Sequence, residues 1–248
     1  MKLFYFGSVC APNIFNQTVE KSKVKPSASA QNFESALLKG FAALENLEVT
    51  AVSAESIAPF PRGNRLVLGA RKDDLAGGCT TEILPAINLP GLKQVCHTIG
   101  AMSKLKKWLK KNEGESDKWV LVYGIYPQVV KKLQTICRKH HCKIAAVITD
   151  VPSTMFTYTK SQSFVKRLFS KGYRRLAISV QSLFDSYIYL TEAMKDEVAP
   201  GKPYTVVETI ADTAIFDSVG DVCKSEPPAL MYAGALYRKY GVDKIVEA

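Results

Sequence analysis

Residues Lys143–Met155 read KIAAVITDVPSTM. Ile144 to Ile148 are five apolar residues in succession, with no polar residue at alternate positions. A strand with that pattern is covered on both faces, in the middle of a parallel sheet. Pro152 keeps residue 151 out of the helical region, so the strand stops at a turn that presents Asp150. In open α/β sheets, ligands occupy the crevice beyond the carboxyl ends of the strands. Asp150 is therefore the first candidate site residue, as a hydrogen-bond acceptor for a substrate hydroxyl or as a general base. An Asp ahead of Val-Pro is also a common turn former, and the residues alone leave that reading open.

Working back from this strand, Trp119–Tyr123 reads as another strand ending in Gly124, and Pro127 fits the first turn of a helix through about Lys139. Lys2–Phe6 is a short apolar strand, and Gly7 opens a loop holding Ser8, Pro12, Asn13 and Asn16. Neither GxGxxG nor GxxxxGK[ST] follows it, which removes most support for dinucleotide and P-loop sites. Phe33, Leu37, Leu38, Phe41 and Leu44 recur at three and four residues, a helix from Ser29 to near Asn46. Leu47–Val52 is the next strand, 59–78 is loop-rich, and Glu82–Leu89 is expected as a further strand. A helix then runs to about Lys111. On its wheel Ile99, Met102, Leu105, Trp108 and Leu109 share one side, opposite Lys104, Lys106, Lys107, Lys110 and Lys111.

Downstream, Thr157–Leu183 reads as a long amphipathic helix. Phe164, Val165, Leu168, Phe169, Leu176, Val180 and Leu183 form its apolar face, with Lys166, Arg167, Lys171 and Arg174 opposite. Tyr187–Leu190 is a strand, Thr191 the expected N-cap of a helix Glu192–Val198, and Tyr204–Glu208 a strand. Residues 209–228, with Pro227-Pro228, read as an interdomain linker. Leu230–Ala233 then begins a strand, Gly234 a loop, and Val242–Ala248 a helix. One strand and one helix cannot bury their apolar faces alone, so the chain is expected to stop just inside a second domain. The domains read as 1–208, 209–228 and 229–248.

The composition is that of a globular protein, with 47% hydrophobic residues and a net charge of +10. That charge favours anionic partners. KLKKWLKK (Lys104–Lys111) and FVKRLFSKGYRR (Phe164–Arg175) join basic clusters to aromatic side chains. An anionic membrane surface is the expected partner; without a recognised motif, nucleic acid is not. The six cysteines (10, 79, 96, 137, 142 and 223) show no framework spacing and read as reduced thiols of a cytoplasmic protein. The cluster Cys137-Arg-Lys-His140-His141-Cys142 matches no standard zinc spacing, and no metal is expected there. Tyr240-x-x-x-Lys244 has short-chain dehydrogenase spacing, but no glycine fingerprint follows the first strand.

The order of these stretches resembles the family-four glycosyltransferases of GT-B fold. KLFYFGS, AQNFESALLKGFAAL, VITDVPSTM, YIYLTEAMKDEV and VVETIAD match the first domain in sequence order. ALMYAGALYRKYGVDKIVEA resembles the unit that opens the sugar-nucleotide domain. The resemblance implies a Rossmann-like parallel sheet with helices on both faces, followed by the first βα unit of a second domain. It implies a nucleotide-sugar donor, a saccharide or lipid-linked acceptor, no required metal and no cofactor. Gly7, Ser8, Tyr123, Gly124, Asp150, Thr191 and Glu192 would then line the acceptor side. Gly234, Arg238 and Lys239 would approach the donor. The basic positions that grip the donor diphosphate in the family fall near Ala235 and Tyr240, which are not basic, and no Glu-x7-Glu pair occurs. The resemblance thus implies an acceptor half that is inactive alone; a non-catalytic, membrane- or phosphate-binding module is the alternative.

Overall fold

A computed structural model describes residues 1–75, 78–153, 164–210 and 244, apart from the side chains of 164–167 and 169. The chain divides into two compact units, Met1–Ala211 and Asp212–Ala248. The expected linker and second-domain unit lie almost wholly outside the described residues.

The first unit is an α/β fold built on one mostly parallel sheet. Its strands are β1 (Lys2–Gly7), β2 (Glu48–Ser53), β3 (Val67–Leu68), β4 (Arg71–Asp74), β5 (Thr80–Ile83), β6 (Ala86–Ile87), β7 (Lys118–Tyr123), β8 (Lys143–Ile148), β9 (Ser186–Tyr189) and β10 (Tyr204–Val206). Its helices are α1 (Pro12–Lys21), α2 (Ala28–Ala42), α3 (Leu92–Lys111), α4 (Pro127–Lys139), α5 (Phe164–Val180) and α6 (Met194–Val198). The eight-stranded order is β10-β9-β8-β7-β1-β2-β5-β4, and β3 pairs with β6 separately. Every neighbour in the large sheet is parallel except β4 against β5.

Strand alternation divides the core in two. Phe4, Phe6, Val120, Val122, Ile144, Ala146 and Ile148 pack under α3, α4 and the Ala177–Val180 end of α5. Leu3, Tyr5, Leu121, Tyr123, Ala145 and Val147 pack on the other face, with Leu37 and Leu38 of α2. Helices on both faces explain why β8 is apolar from Ile144 to Ile148, and the sheet is Rossmann-like as its sequence pattern predicts.

Several expectations change. The loop after Gly7 contains α1, a ten-residue helix that Pro12 opens at its first turn. The helix expected to reach Asn46 ends at Ala42, and Glu82–Leu89 is two strands broken around Pro85. In α3, Met102, Leu105, Trp108 and Leu109 are buried as predicted, but Ile99 is 65% exposed while His97 is buried. In α5 the buried stripe includes Ala177 and Val180, whereas Leu168 and Leu176 face solvent. Arg174, expected on the polar face, is half-buried and donates to the Ser153 carbonyl at 3.3 Å.

Candidate functional site

The chain leaves β1 for β2 on one side and returns to β7 on the other, so the strand order reverses between β1 and β7. In open α/β sheets that reversal opens the crevice where ligands bind. Gly7-Ser8 and Tyr123-Gly124 stand at its two lips.

Gly7 is required by close approach. A Cβ there would lie 2.0 Å from Glu34 Oε2 and 2.5 Å from the Tyr5 ring. Glu34 sits in the apolar stripe of α2, fully buried, and gathers the end of β1. Its Oε2 accepts from the Tyr5 hydroxyl at 2.7 Å and from the Ser8 backbone N–H at 2.7 Å. Its Oε1 accepts from Ser8 Oγ. The Tyr126 hydroxyl hydrogen-bonds the Ser8 side chain in turn. Burial pushes the Glu34 carboxyl above its ordinary pKa, against the opposing pull of the Ser8 and Tyr5 hydrogen bonds. Both donors of Ser8 are thus spent on Glu34, so its part in a ligand site is to shape the lip.

Across the crevice, Gly124 adopts φ 78°, a left-handed turn that a side chain would strain. Its N–H donates to the Val147 carbonyl at 2.7 Å, tying the end of β7 to the end of β8. The Tyr123 hydroxyl bonds to the Thr149 side chain, and burial raises its pKa. Asp150 follows, exposed, close enough for its charge to act on Tyr123.

Beside Ser8 the crevice continues as a polar cavity of about 250 Å³. Glu55, Lys93, His97, Tyr126 and Gln128 contribute to its walls. Glu55, 1% exposed, is bound by Arg65 on Oε1 and by Arg71 Nη2 at 2.9 Å on Oε2. Arg71 also reaches Asp73, whose Oδ2 accepts the Ala11 N–H at 2.9 Å. Lys93 donates to the Ile57 carbonyl, and burial lowers its pKa to about 8. Burial, and then the charge of Lys93, lowers His97 to about 4, so its imidazole is neutral at physiological pH. His97 Nε2 and Gln128 Oε1 are buried without a hydrogen-bond partner among the described residues.

The candidates therefore separate. Gly7, Ser8, Tyr123, Gly124 and Asp150 come to the carboxyl ends of β1, β7 and β8. Thr191 and Glu192 lie beyond β9, further along the sheet. Thr191 is not the N-cap expected: that position is Ala193, without a side-chain bond. The Glu192 carboxylate accepts from Tyr204 at 2.6 Å and from Lys195, which lower its pKa. Gly234, Arg238 and Lys239 lie outside the described residues.

Sequence reasoning missed Glu34, Glu55, Lys93, His97 and Gln128. Two signals were present: a carboxylate inside the apolar stripe of α2, and a histidine four residues before Ala101 on the buried stripe of α3. In CRKHHC, Cys137 and Cys142 are buried free thiols within hydrogen-bonding reach of one another, while His141 is exposed. Among the described residues no group of three or more His, Cys, Asp or Glu gathers to hold a metal. Trp108 of KLKKWLKK is core, 5.6 Å from Phe4, so only lysines of that segment face solvent.

No family model matches the chain, and no curated protein matches it. Among solved structures it is similar to a sucrose-phosphate synthase from Thermosynechococcus elongatus, with a TM-score of 0.44 and 12% identity. That match covers 84% of this chain and 48% of the synthase, so the chain spans about half the length of that structure. A likeness of that size carries no information about activity.

Proposed function

We propose that this chain is the acceptor-side half of a GT-B glycosyltransferase, one that moves a sugar from a nucleotide-sugar donor to a saccharide or lipid-linked acceptor. The observation that carries the reading is the crevice at the β1/β7 strand reversal. Its lips are shaped by Gly7 and Gly124, and Asp150 stands exposed beyond the neighbouring strand. The sequence resemblance, running in order along the chain, supplies the reaction class. In this reading the acceptor lies across Gly7-Ser8, Tyr123-Gly124 and Asp150. Gly234, Arg238 and Lys239 are the residues proposed to meet the donor, and no metal or cofactor is involved. Thr191 and Glu192 stay at the margin.

The test is a titration of the chain with acceptor-type saccharides and with nucleotide sugars, read by amide chemical shifts. Saccharides should move the amides of Ser8, Gly124 and Asp150. Nucleotide sugars should bind no tighter than millimolar, because the donor-gripping residues belong to the other half. Micromolar nucleotide-sugar binding with no response to saccharides would overturn the assignment.

A peripheral position on an anionic membrane, at the cytoplasmic face, goes with a lipid-linked acceptor. Lys106, Lys107, Lys110 and Lys111 are exposed on one side of α3. Lys104 is paired with Glu82. With Trp108 buried, attachment would rest on charge alone, at about 1 kcal/mol per basic residue. Co-sedimentation with anionic vesicles is expected at low salt and lost at high salt. Changing the four exposed lysines to Glu should abolish it, and sedimentation that ignores salt and lipid charge would refute the idea. Among the described residues no helix is long and apolar enough to cross a membrane.

A further inference from the structure

The polar cavity beside Ser8 holds groups that the fold does not use. Among the described residues, His97 is 7% exposed and its Nε2 has no hydrogen-bond partner; Gln128 Oε1, in the first turn of α4, has none either. Leaving a buried polar atom unpaired costs about 1–3 kcal/mol. Two around one cavity call for partners that the described residues do not supply.

Glu55 and Lys93 are the charged residues lining the cavity, and Glu55 is already paired with Arg65 and Arg71. Both Glu55 oxygens are committed to the arginines, and among the described residues Lys93 is held by the Ile57 carbonyl alone. The N-terminus of α4 opens beside Gln128. Its N-cap, Tyr126, makes no side-chain capping bond, and Pro127 has no N–H to offer. The partial positive charge of a thirteen-residue helix therefore adds to that of Lys93.

We propose that this cavity binds an anionic carbohydrate: the oxyanion sits between Lys93, His97 Nε2 and the start of α4, and a hydroxyl donates to Gln128 Oε1. The neutral imidazole donates to the oxyanion through an Nε2 that carries the ring hydrogen. The anion compensates the charge that burial makes costly on Lys93. The unpartnered Gln128 oxygen requires a donor, which a carboxylate lacks at neutral pH and a sugar hydroxyl provides. The inference rests on the reading of this crevice as an acceptor site, and it adds that the acceptor bears a negative charge, whether phosphate or carboxylate.

Titration calorimetry of the 248-residue chain with glucose, glucose 6-phosphate, glucuronate and inorganic phosphate tests it. At least one of the two anionic sugars should bind ten or more times tighter than glucose, and which one does identifies the anion. Gln128→Glu keeps a residue favoured in the first turn of a helix, so the fold is retained while a like charge enters the cavity. It should lower anionic-sugar affinity by at least tenfold, as should Lys93→Met. Equal binding of glucose and the charged sugars, indifferent to both variants, would overturn the anion site and leave the acceptor reading standing. Inorganic phosphate bound as tightly as glucose 6-phosphate would keep the anion site and overturn both the carbohydrate part and the acceptor reading. Silence from all four probes would overturn the inference altogether.

Discussion

Replacing Glu34 with Ala should lower stability by about 3–5 kcal/mol, because it strands three donors at once. The Tyr5 hydroxyl, the Ser8 N–H and Ser8 Oγ all end on this one carboxylate, inside the turn that shapes the crevice. Each buried donor left without a partner costs about 1–3 kcal/mol, and Ser8, being half-buried, recovers part of that from water. For a domain of this size the loss corresponds to a melting temperature lower by roughly 10 °C. Glu34→Gln should behave differently. Its carbonyl oxygen can accept from Tyr5 and the Ser8 N–H, and its amide can donate to Ser8 Oγ, without a charge to desolvate. The pH dependence distinguishes the two as well. Burial raises the Glu34 pKa in the folded chain, so the folded state holds the proton more tightly than the unfolded one. That contribution to stability is full below the unfolded glutamate pKa and is lost as pH rises through the raised folded value. The wild-type chain should therefore lose stability across that window, and Glu34→Gln should flatten the loss. Gly7→Ala supplies a cross-check, since its Cβ would press on Glu34 Oε2 and the Tyr5 ring. Combined with Glu34→Ala, it should cost less than the two single changes added together. Strict additivity, or a Glu34→Ala variant as stable as the wild type, would mean Glu34 does not organise the lip.

How much was legible follows from what repeats along the chain. β8 announced itself through five consecutive apolar residues, and β1 and β7 through similar runs, because burial on both faces leaves no room for alternation. Trp108 and Leu109 could be placed in the core by helical period alone. Elements set by short-range geometry were not readable in that way. α1 is brief, begins at a proline and buries only Thr18 completely, so its periodic signal is faint. On α5, Val180 is buried as its period predicts, but Leu168 and Leu176, which look like core residues, face solvent, and the small Ala177 is buried instead.

The site divides along the same line. Gly7, Gly124 and Asp150 follow strands that the pattern reveals, so their position at the carboxyl ends was within reach of sequence reasoning. Glu55 is brought to Arg65 and Arg71 by the loop-rich stretch, and Lys93 and His97 to Gln128 by the packing of α3 beside α4. Those meetings join residues far apart in sequence, and no spacing rule encodes them. Thr191 shows the opposite failure. Its type suits an N-cap, but α6 starts two residues later than that reading, at a backbone turn in which the Thr191 carbonyl accepts from the Met194 N–H at 3.2 Å.

Asp150→Asn should lower turnover by roughly 10²-fold in an active enzyme that includes the donor-binding half, the usual effect of removing a general base. The change keeps shape and size while removing the negative charge and the ability to take a proton. The turn does not depend on that charge for its closure. The Gly124 N–H on the Val147 carbonyl and the bond between the Tyr123 and Thr149 side chains hold the ends of β7 and β8 together. Asp150 itself is exposed. Its substitution should therefore move the melting temperature by no more than a degree or so, since surface changes of this kind fall within about 0.5 kcal/mol. The kinetic pattern then separates two roles. A base acts on the transferred proton, so kcat and kcat/KM should fall together while KM for the acceptor holds. A residue that only holds an acceptor hydroxyl would raise KM with kcat little changed. Asp150→Ala is the necessary companion, because it removes the hydrogen-bond acceptor as well as the charge and should show both effects. If Asp150→Asn instead unfolds the chain early and leaves the rate of the folded fraction intact, the carboxylate is a turn former and does not act on the acceptor.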